Sequence, residues 1–381
     1  RPVADPACVA EAAALLAKAE APLVIAGGGV HASQASAELA ALQEAWHLPV
    51  ATTSMGKGAV DETHPLSLGV AGYFMGDGSR TRDLKPLVQR SDVILLVGTR
   101  TNQNGTDSWT LLPPGARYIH IDASPDEVGR NYESLRLVGD AKATLAALST
   151  ALGKHDRSRR AVARAGLEAE IRNAVTAWRS VVDELCAENR KPIRPEQVMR
   201  ELDRRIDGET IVVADASYAS IWMANGLTAR RAGQRFLSPR GLAGLGWGLP
   251  FAIGAKVAEP DNCVVCIAGD GAFAHTWAEL ETVARLRLPI VTIVLNNQIL
   301  GYQKHAETVL FGAYTPACDF APVDHAAIAR ACGVRGVRVE RAEEIGPALE
   351  FALASREPTV LDVITDPDAY PPITAFQGKL P

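Results

Sequence analysis

The sequence predicts an α/β fold in which two Rossmann-like domains are each built on a parallel β-sheet. Short apolar runs of strand length alternate with stretches whose apolar residues recur at helical spacing. This alternation occurs in each half of the 381 residues, and a charged stretch without strand-like runs lies between the halves. Strands that alternate with helices form βαβ units, which give a parallel sheet with helices on both faces. At roughly 150 residues per domain, the length allows two or three domains.

The first half contains four predicted strands, bounded by Gly, Pro or Asp, and two predicted helices. The strands lie at residues 23–26, 50–53, 93–97 and 118–122, and the helices at residues 6–20 and 36–47. Arg, Ala and Glu then dominate residues 156–190, which predicts a long helical linker whose charges face the solvent. We therefore place the first domain at residues 1–155.

The second half contains four further predicted strands, at residues 210–214, 263–268, 290–295 and 360–364. A helix is predicted between the second and third of these, at residues 274–287. These elements place the second domain at residues 191–370. The Pro-rich residues 371–381 form a predicted C-terminal arm.

Composition excludes several classes of function. The net charge of −5 gives no basic surface for a nucleic-acid backbone, and we expect no nucleic-acid partner. No apolar run approaches the roughly 20 residues that span a bilayer, so we expect no membrane partner. The six cysteines lack disulfide-framework spacing, and Cys263 and Cys266 lie in an apolar run that predicts a buried strand rather than a redox or zinc motif. These features predict a cytoplasmic protein.

The segment with the strongest chemical signal begins at Gly269-Asp270-Gly271, which follows a predicted strand and opens a helix. Asn297 lies 27 residues later, directly after the next strand, so one strand-to-helix-to-strand crossover separates them. Parallel sheets bind ligands at their carboxyl edge, where free backbone N–H groups can meet a phosphate. Asp270 and Asn297 offer the oxygen ligands that Mg²⁺ prefers. Each motif alone is a common turn, but together at this spacing they predict a site for Mg²⁺ and a diphosphate.

These motifs resemble the thiamine-diphosphate fingerprint, in the branch that contains acetolactate synthase and glyoxylate carboligase. Three further segments are similar to that branch, at residues 241–250, 297–301 and 119–131. The resemblance implies a thiamine-diphosphate-dependent decarboxylase and carboligase that acts on a 2-oxo acid, with a 2-oxo acid or aldehyde as its small-molecule substrate. It also implies a homodimer or homotetramer.

The resemblance assigns roles to residues of the second domain. Asp270, Asn297 and the backbone carbonyl of Ile299 would bind Mg²⁺. Leu245 would be an apolar wedge between the two rings of the cofactor, and the Ala243 carbonyl would accept a hydrogen bond from the aminopyrimidine. The residues expected to meet the diphosphate or line its turns are Ser217, Tyr218, Ala219, Gly269, Gly271, Ala272, Asn297 and Gly301.

In this branch the first domain often carries FAD, and in related enzymes that handle acyl-CoA it holds ADP. The similar positions include Gly28 in the Gly27–Gly29 turn, Arg100, Asp122 and Asp140. Asn104 stands where the flavin enzymes have a basic residue. FAD, ADP and an empty domain therefore all stay open.

The resemblance also implies a catalytic glutamate beside the aminopyrimidine ring, on an N-terminal pyrimidine-binding domain that a neighbouring subunit normally contributes. We find no counterpart of that domain in these residues. We expect the glutamate to come from elsewhere, either because the chain is a piece of a longer enzyme or because a partner subunit supplies it. The chain alone is then expected to bind a diphosphate with Mg²⁺ and to show little or no turnover.

Two alternatives stay open. One is a thiamine-diphosphate-dependent acyl-CoA lyase or decarboxylase, because Tyr302 stands where acetolactate synthases carry a Met near the substrate. The other is a non-catalytic nucleotide-binding module, although neither domain has Gly-x-Gly-x-x-Gly followed by an acid about 20 residues on. The candidates for the substrate side are Arg240, Trp247, Tyr302, Gln303 and His305.

Overall fold

A computed structural model describes residues 1–187 and 191–374 and divides into two compact units. The first unit comprises Arg1–Arg179 and Ala229–Gln234. The second comprises Ser180–Thr228 and the chain from Arg235 onward. Residues 188–190 of the predicted linker and residues 375–381 of the predicted arm lie outside the described residues.

The first unit contains a six-stranded sheet in which every neighbouring pair of strands is parallel, in the order β3-β2-β1-β4-β5-β6. The strands are β1 (Pro22–Ala26), β2 (Val50–Thr52), β3 (Ser67–Val70), β4 (Val93–Val97), β5 (Arg117–Asp122) and β6 (Ser134–Val138). The helices of this half of the chain are α1 (Pro6–Lys18), α2 (Gly28–Ala32), α3 (Ser36–Trp46), α4 (Lys85–Gln89), α5 (Ala141–Leu152) and α6 (Ser158–Ala187). The central strands β1 and β4 are buried along their whole length, as expected of a sheet covered on both faces.

The second unit repeats the architecture with a second parallel sheet, in the order β11-β12-β10-β9-β7-β8. Its strands are β7 (Ile211–Ala214), β8 (Phe236–Leu237), β9 (Val264–Gly269), β10 (Ile290–Asn296), β11 (Arg335–Val339) and β12 (Thr359–Ile364). Its helices are α7 (Pro195–Asp203), α8 (Tyr218–Gly226), α9 (Gly248–Ala258), α10 (Asp270–Ala274), α11 (Leu280–Arg285), α12 (Gly301–Phe311), α13 (His325–Ala331) and α14 (Ala342–Ser355).

The predicted fold class and all eight predicted strands are confirmed. The four strands that the sequence did not predict, β3, β6, β8 and β11, are the four outer strands of the two sheets. Only two of five residues are buried in β6 and only one of five in β11, while β8 has two residues and the buried β3 has four. An edge strand is covered less completely than a central one and need not carry a continuous apolar run.

Two predictions about helices were wrong in part. The predicted helix at 274–287 is interrupted: α10 begins at Asp270, a 3₁₀ turn occupies Trp277–Glu279, and α11 follows. The linker helix was expected to keep its charges in solvent, but Arg160 is buried and donates from Nη2 to the Glu20 carbonyl at 2.6 Å. Of the helices in the described part of the chain, none is both long and apolar enough to cross a membrane.

Candidate functional site

The predicted metal residues lie at the carboxyl ends of two adjacent strands. In the parallel pairing of β9 with β10, Gly269 is opposite Leu295, and Asp270 and Asn297 each directly follow the last residue of their strand. The backbone N–H of Gln298 donates to Asp270 Oδ2 at 2.7 Å. The 27-residue crossover therefore brings Asp270 beside the turn that contains Asn297, as the spacing predicted.

Asp270 is a buried carboxylate held by backbone N–H groups. It is 5% exposed, and its Oδ1 accepts from Gly271 N at 2.8 Å while Oδ2 accepts from Gln298 N. Within the described residues no cationic side chain contacts it. Burial raises the pKa of Asp270 to about 6. A carboxylate buried in this way would be stabilised by a bound divalent cation, which is the property that a Mg²⁺ ligand needs.

The turn after β10 presents the other two predicted ligands. Asn297 Oδ1 accepts from Ile299 N at 3.3 Å, and Ile299 forms an isolated antiparallel bridge with Asp319. The hydrogen bonds of that bridge run from Leu300 N to the Cys318 carbonyl and from Phe320 N to the Gln298 carbonyl. The bridge therefore leaves the Ile299 carbonyl out of its hydrogen bonds, consistent with its predicted use as a ligand.

The turn after β7 is strained at its predicted cofactor residue. Ser217 adopts a φ of 64° immediately before α8 begins at Tyr218, and a positive φ in a residue other than Gly costs about 1–3 kcal/mol. Ala219 is buried in the first turn of the helix. Strain of this kind persists only where the surrounding structure maintains it, and it concentrates at functional sites.

Tyr218 also connects the turn after β7 to the turn after β10, which contains Asn297. A Cβ added to Gly301 would lie 2.8 Å from the Tyr218 ring, so only glycine permits this approach. The Tyr218 hydroxyl contacts His305 Nδ1. Burial raises the pKa of Tyr218 and lowers that of His305 to about 3, so the hydroxyl donates to a neutral imidazole. In this arrangement the hydroxyl is directed at His305, and the contact of Tyr218 with a diphosphate that the resemblance implies stays a prediction.

The glycine-rich segment 241–248 carries the two residues that are predicted to contact the rings of the cofactor, and the predicted Ala272 is buried in α10. Ala243 has a φ of 56°, and Leu245 is 38% exposed. A large apolar side chain left partly exposed on a strained loop suits an apolar wedge that meets a ligand. The loop is held by Asp215, which sequence reasoning did not identify and which directly follows β7.

The substrate-side candidates are spread over the same unit. Trp247 and Tyr302 are exposed, and Gln303 donates to Glu307 Oε1 at 2.8 Å on the outside of α12. Arg240 Nη1 donates to Ser220 Oγ at 3.3 Å. A cavity of about 770 Å³ borders the turn after β10. Its lining includes Asn297, Ile299, Lys304, Tyr314, Asp319 and Tyr370.

In the first unit, the predicted nucleotide residues lie along the carboxyl edge of the sheet. Gly28 follows β1, Arg100 follows β4 and is exposed, and Asp122 ends β5. Asp140 caps α5 by accepting from Ala143 N at 3.0 Å. Its other oxygen pairs with Arg1 at 3.0 Å, so a structural role accounts for Asp140 without a ligand.

Close packing explains two of the three glycines after β1. A Cβ on Gly27 would lie 2.3 Å from the Gly98 carbonyl oxygen, and one on Gly29 would lie 2.6 Å from Gly98 Cα. The three atoms nearest to a Cβ on Gly28 all belong to Met55, the closest at 3.2 Å. Of the three glycines, Gly28 therefore has the most room for a side chain.

The fold and the carboxyl edge of the second sheet define an α/β protein whose candidate site lies between the turn at Asp270 and the turn at Asn297. Residues 9–148 match the family model "Thiamine pyrophosphate enzyme, central domain", and residues 215–363 match "Thiamine pyrophosphate enzyme, C-terminal TPP binding domain". The chain belongs to the thiamine pyrophosphate enzyme family, as the resemblance predicted.

Similar proteins carry the names of acetolactate synthase subunits. The chain is 33% identical over 377 residues to the "Probable acetolactate synthase large subunit" of Methanococcus aeolicus, an alignment that covers 96% of this chain and 62% of that protein. It is 31% identical over 362 residues to the "Acetolactate synthase isozyme 2 large subunit" of Escherichia coli, covering 94% and 62% respectively. The chain thus spans less than two thirds of the length of these relatives.

Proposed function

We propose that the second unit holds the Mg²⁺ ion and diphosphate of thiamine diphosphate. The observation that carries the proposal is the buried Asp270 carboxylate, which has backbone N–H partners but no cationic one in the described residues. The Asn297 amide and the Ile299 carbonyl lie on the turn that Asp270 contacts. Together these atoms are the hard oxygen donors that Mg²⁺ prefers.

The chain's own residues would orient the cofactor from three sides. Backbone N–H groups at the starts of α8 and α10 lie at the carboxyl edge where a diphosphate binds. Leu245 would support the junction of the two rings, and the Ala243 carbonyl would accept from the aminopyrimidine. When bound, thiamine diphosphate supplies the carbon nucleophile that attacks the carbonyl of a 2-oxo acid.

We infer that the complete protein is a thiamine-diphosphate-dependent decarboxylase and carboligase of the acetolactate synthase type. The names of the relatives support this reaction, and the match to the TPP-binding domain model supports thiamine diphosphate as the cofactor. The glutamate that activates the cofactor would come from outside these residues, in a cytoplasmic homo-oligomer. The edge bearing Gly28, Arg100 and Asp122 is our proposed place for FAD or ADP.

Titration calorimetry tests the cofactor proposal. The chain is titrated with thiamine diphosphate in the presence and absence of Mg²⁺, and separately with NAD. We expect binding of thiamine diphosphate that depends on Mg²⁺. Binding of NAD without any binding of thiamine diphosphate would favour the nucleotide-module alternative and overturn the proposal.

A further inference from the structure

Asp215 is a buried carboxylate whose hydrogen-bond partners in the described part of the chain are backbone N–H groups. It follows β7 directly and is 1% exposed. Its Oδ1 accepts from Ala216 N at 2.7 Å and from Gly246 N at 3.1 Å, and its Oδ2 accepts from Gly248 N at 2.6 Å. Two of these three donors belong to the glycine-rich loop, so the end of β7 holds the loop at two points.

The loop is shaped to accept this contact. A Cβ on Gly248 would lie 2.8 Å from Asp215 Oδ2. Gly246 has a φ of 89°, and a Cβ there would lie 2.8 Å from His275 Cβ, just beyond α10. The loop is therefore confined between the carboxylate after β7 and the segment after α10, and glycine is required on both sides.

Leu245 lies immediately before Gly246 in the chain, and Ala243 lies two residues further back. The Leu245 side chain is only partly covered, at 38% exposed, so the backbone of the loop must contribute to fixing its position. The strained φ of Ala243 likewise needs the surrounding structure to maintain it. The hydrogen bonds of Asp215 to Gly246 and Gly248 are the nearest fixed points downstream of both residues.

We propose that Asp215 is a positioning residue that holds the 241–248 loop, and with it Leu245 and Ala243, in the conformation that receives thiamine diphosphate. The proposal rests on the proposed function of the second unit. Asp215 does not itself meet the cofactor in this account. It acts through two backbone N–H groups, each of which gains from bonding to a charged acceptor in a site of low dielectric.

Two substitutions test the proposal, each with a matched control. Asp215→Asn keeps the shape but turns one acceptor oxygen into a donor, so Gly246 or Gly248 loses its acceptor. Asp207→Asn is its control, because Asp207 also accepts from two backbone N–H groups but lies before β7, at the opposite end of the strand. Gly248→Ala displaces the loop and leaves the carboxylate intact. Its control is Gly254→Ala in the same helix, where an added Cβ meets nothing within 4 Å.

The readouts are thiamine diphosphate affinity with Mg²⁺ and amide hydrogen exchange at residues 241–248. We expect Asp215→Asn and Gly248→Ala to bind about 10- to 100-fold more weakly. Both controls should stay within about twofold of the wild-type chain, because they leave the loop unchanged. Exchange in the loop should be faster only in the two test variants. Wild-type affinity in Asp215→Asn would overturn the proposal.

A failure of the proposed function gives a different result. If the wild-type chain binds no thiamine diphosphate, the function proposal fails, and hydrogen exchange alone decides the role of Asp215. Faster exchange at Gly246 and Gly248 in Asp215→Asn would then support its hold on the loop. Unchanged exchange would overturn it.

Discussion

Gln298 donates its backbone N–H to Asp270 Oδ2 at 2.7 Å and so ties the turn after β10 to the acidic end of β9. The bond comes from the main chain, and Gln298 reaches it with a φ of 56°. Position 298 therefore needs an N–H and a positive φ, but not a particular side chain. These two requirements predict opposite results for Gln298→Gly and Gln298→Pro.

Gln298→Gly should preserve the site, and Gln298→Pro should disrupt it. Glycine adopts a positive φ without strain and keeps the N–H, so we expect stability and Mg²⁺-dependent binding close to wild type. Proline removes the N–H and fixes φ near −65°, which should destabilise the second unit by about 3 kcal/mol or more. Urea denaturation and calorimetry measure both effects. Equal behaviour of the two variants would contradict the role assigned to the N–H.

Asp362 should be important for the stability of the second unit. It is fully buried in β12 and accepts from Asn296 Nδ2 at 2.9 Å, from His325 N at 3.0 Å and from Arg338 Nη1 at 3.2 Å. Asp362→Ala leaves the buried His325 N–H without its acceptor and removes one acceptor each from Asn296 and Arg338, and we expect a loss of about 3–5 kcal/mol in urea denaturation.

The control for Asp362 is Glu340→Ala. Glu340 also accepts from Arg338, at 2.7 Å, but it is 60% exposed. A surface ion pair contributes about 0–1 kcal/mol, so this variant should lose no more than that. Comparable losses of stability in Asp362→Ala and Glu340→Ala would contradict the claim that burial makes Asp362 the more important acceptor.

His120 should make the first unit less stable in acid. Its Nε2–H donates to the Thr99 carbonyl at 3.0 Å and its Nδ1 accepts from Gly129 N at 3.2 Å, which fixes the neutral ring. Burial lowers the pKa of His120 below its ordinary 6.5. Below pH 6.5, His120 binds a proton in the unfolded chain but stays neutral in the folded chain. The free energy of unfolding therefore falls as the pH falls from 6.5 toward the folded pKa of His120. The limiting slope is about 1.4 kcal/mol per pH unit.

The variant His120→Gln isolates this effect. Glutamine can still donate to Thr99 but does not titrate. It should be less stable than wild type at pH 7.5, by about 1–3 kcal/mol, and should lose less stability between pH 7.5 and pH 5.5. Thermal or urea unfolding at both pH values gives the comparison. Parallel pH profiles would exclude His120 as a source of the acid sensitivity.

The glycines after β1 should respond unequally to alanine. Gly29→Ala places a Cβ 2.6 Å from Gly98 Cα, a backbone clash that neither side can avoid by rotation. We expect a loss of about 1–3 kcal/mol or more, as for overpacking in a core. In Gly28→Ala the atom nearest to the new Cβ is Met55 Cβ, at 3.2 Å, which a small shift relieves, so this variant should lose less than about 1 kcal/mol. Equal losses would mean that packing does not distinguish the two positions.

The sequence predicted the inner strands, and the close approach of the turns at Asp270 and Asn297, because both have local signals. A strand such as β4 is a continuous apolar run, and the acidic and amide turns occur at βαβ spacing. The outer strands were missed because they are short or carry polar residues that face solvent. Asp215 was missed for another reason: its partners lie 31 and 33 residues downstream and donate backbone N–H groups. No pattern in the sequence encodes such a contact.

The most direct test of the Mg²⁺ site compares Asp270→Asn with wild type in calorimetric titrations of thiamine diphosphate at several Mg²⁺ concentrations. The exposed Asp261, changed to Asn, is the charge-matched control. We predict that wild type and Asp261→Asn bind more tightly as Mg²⁺ rises. Asp270→Asn should lose this dependence and bind about 100-fold more weakly at saturating Mg²⁺. Undiminished Mg²⁺-dependent affinity in Asp270→Asn would contradict the assignment of Asp270 as the ligand that anchors the cofactor.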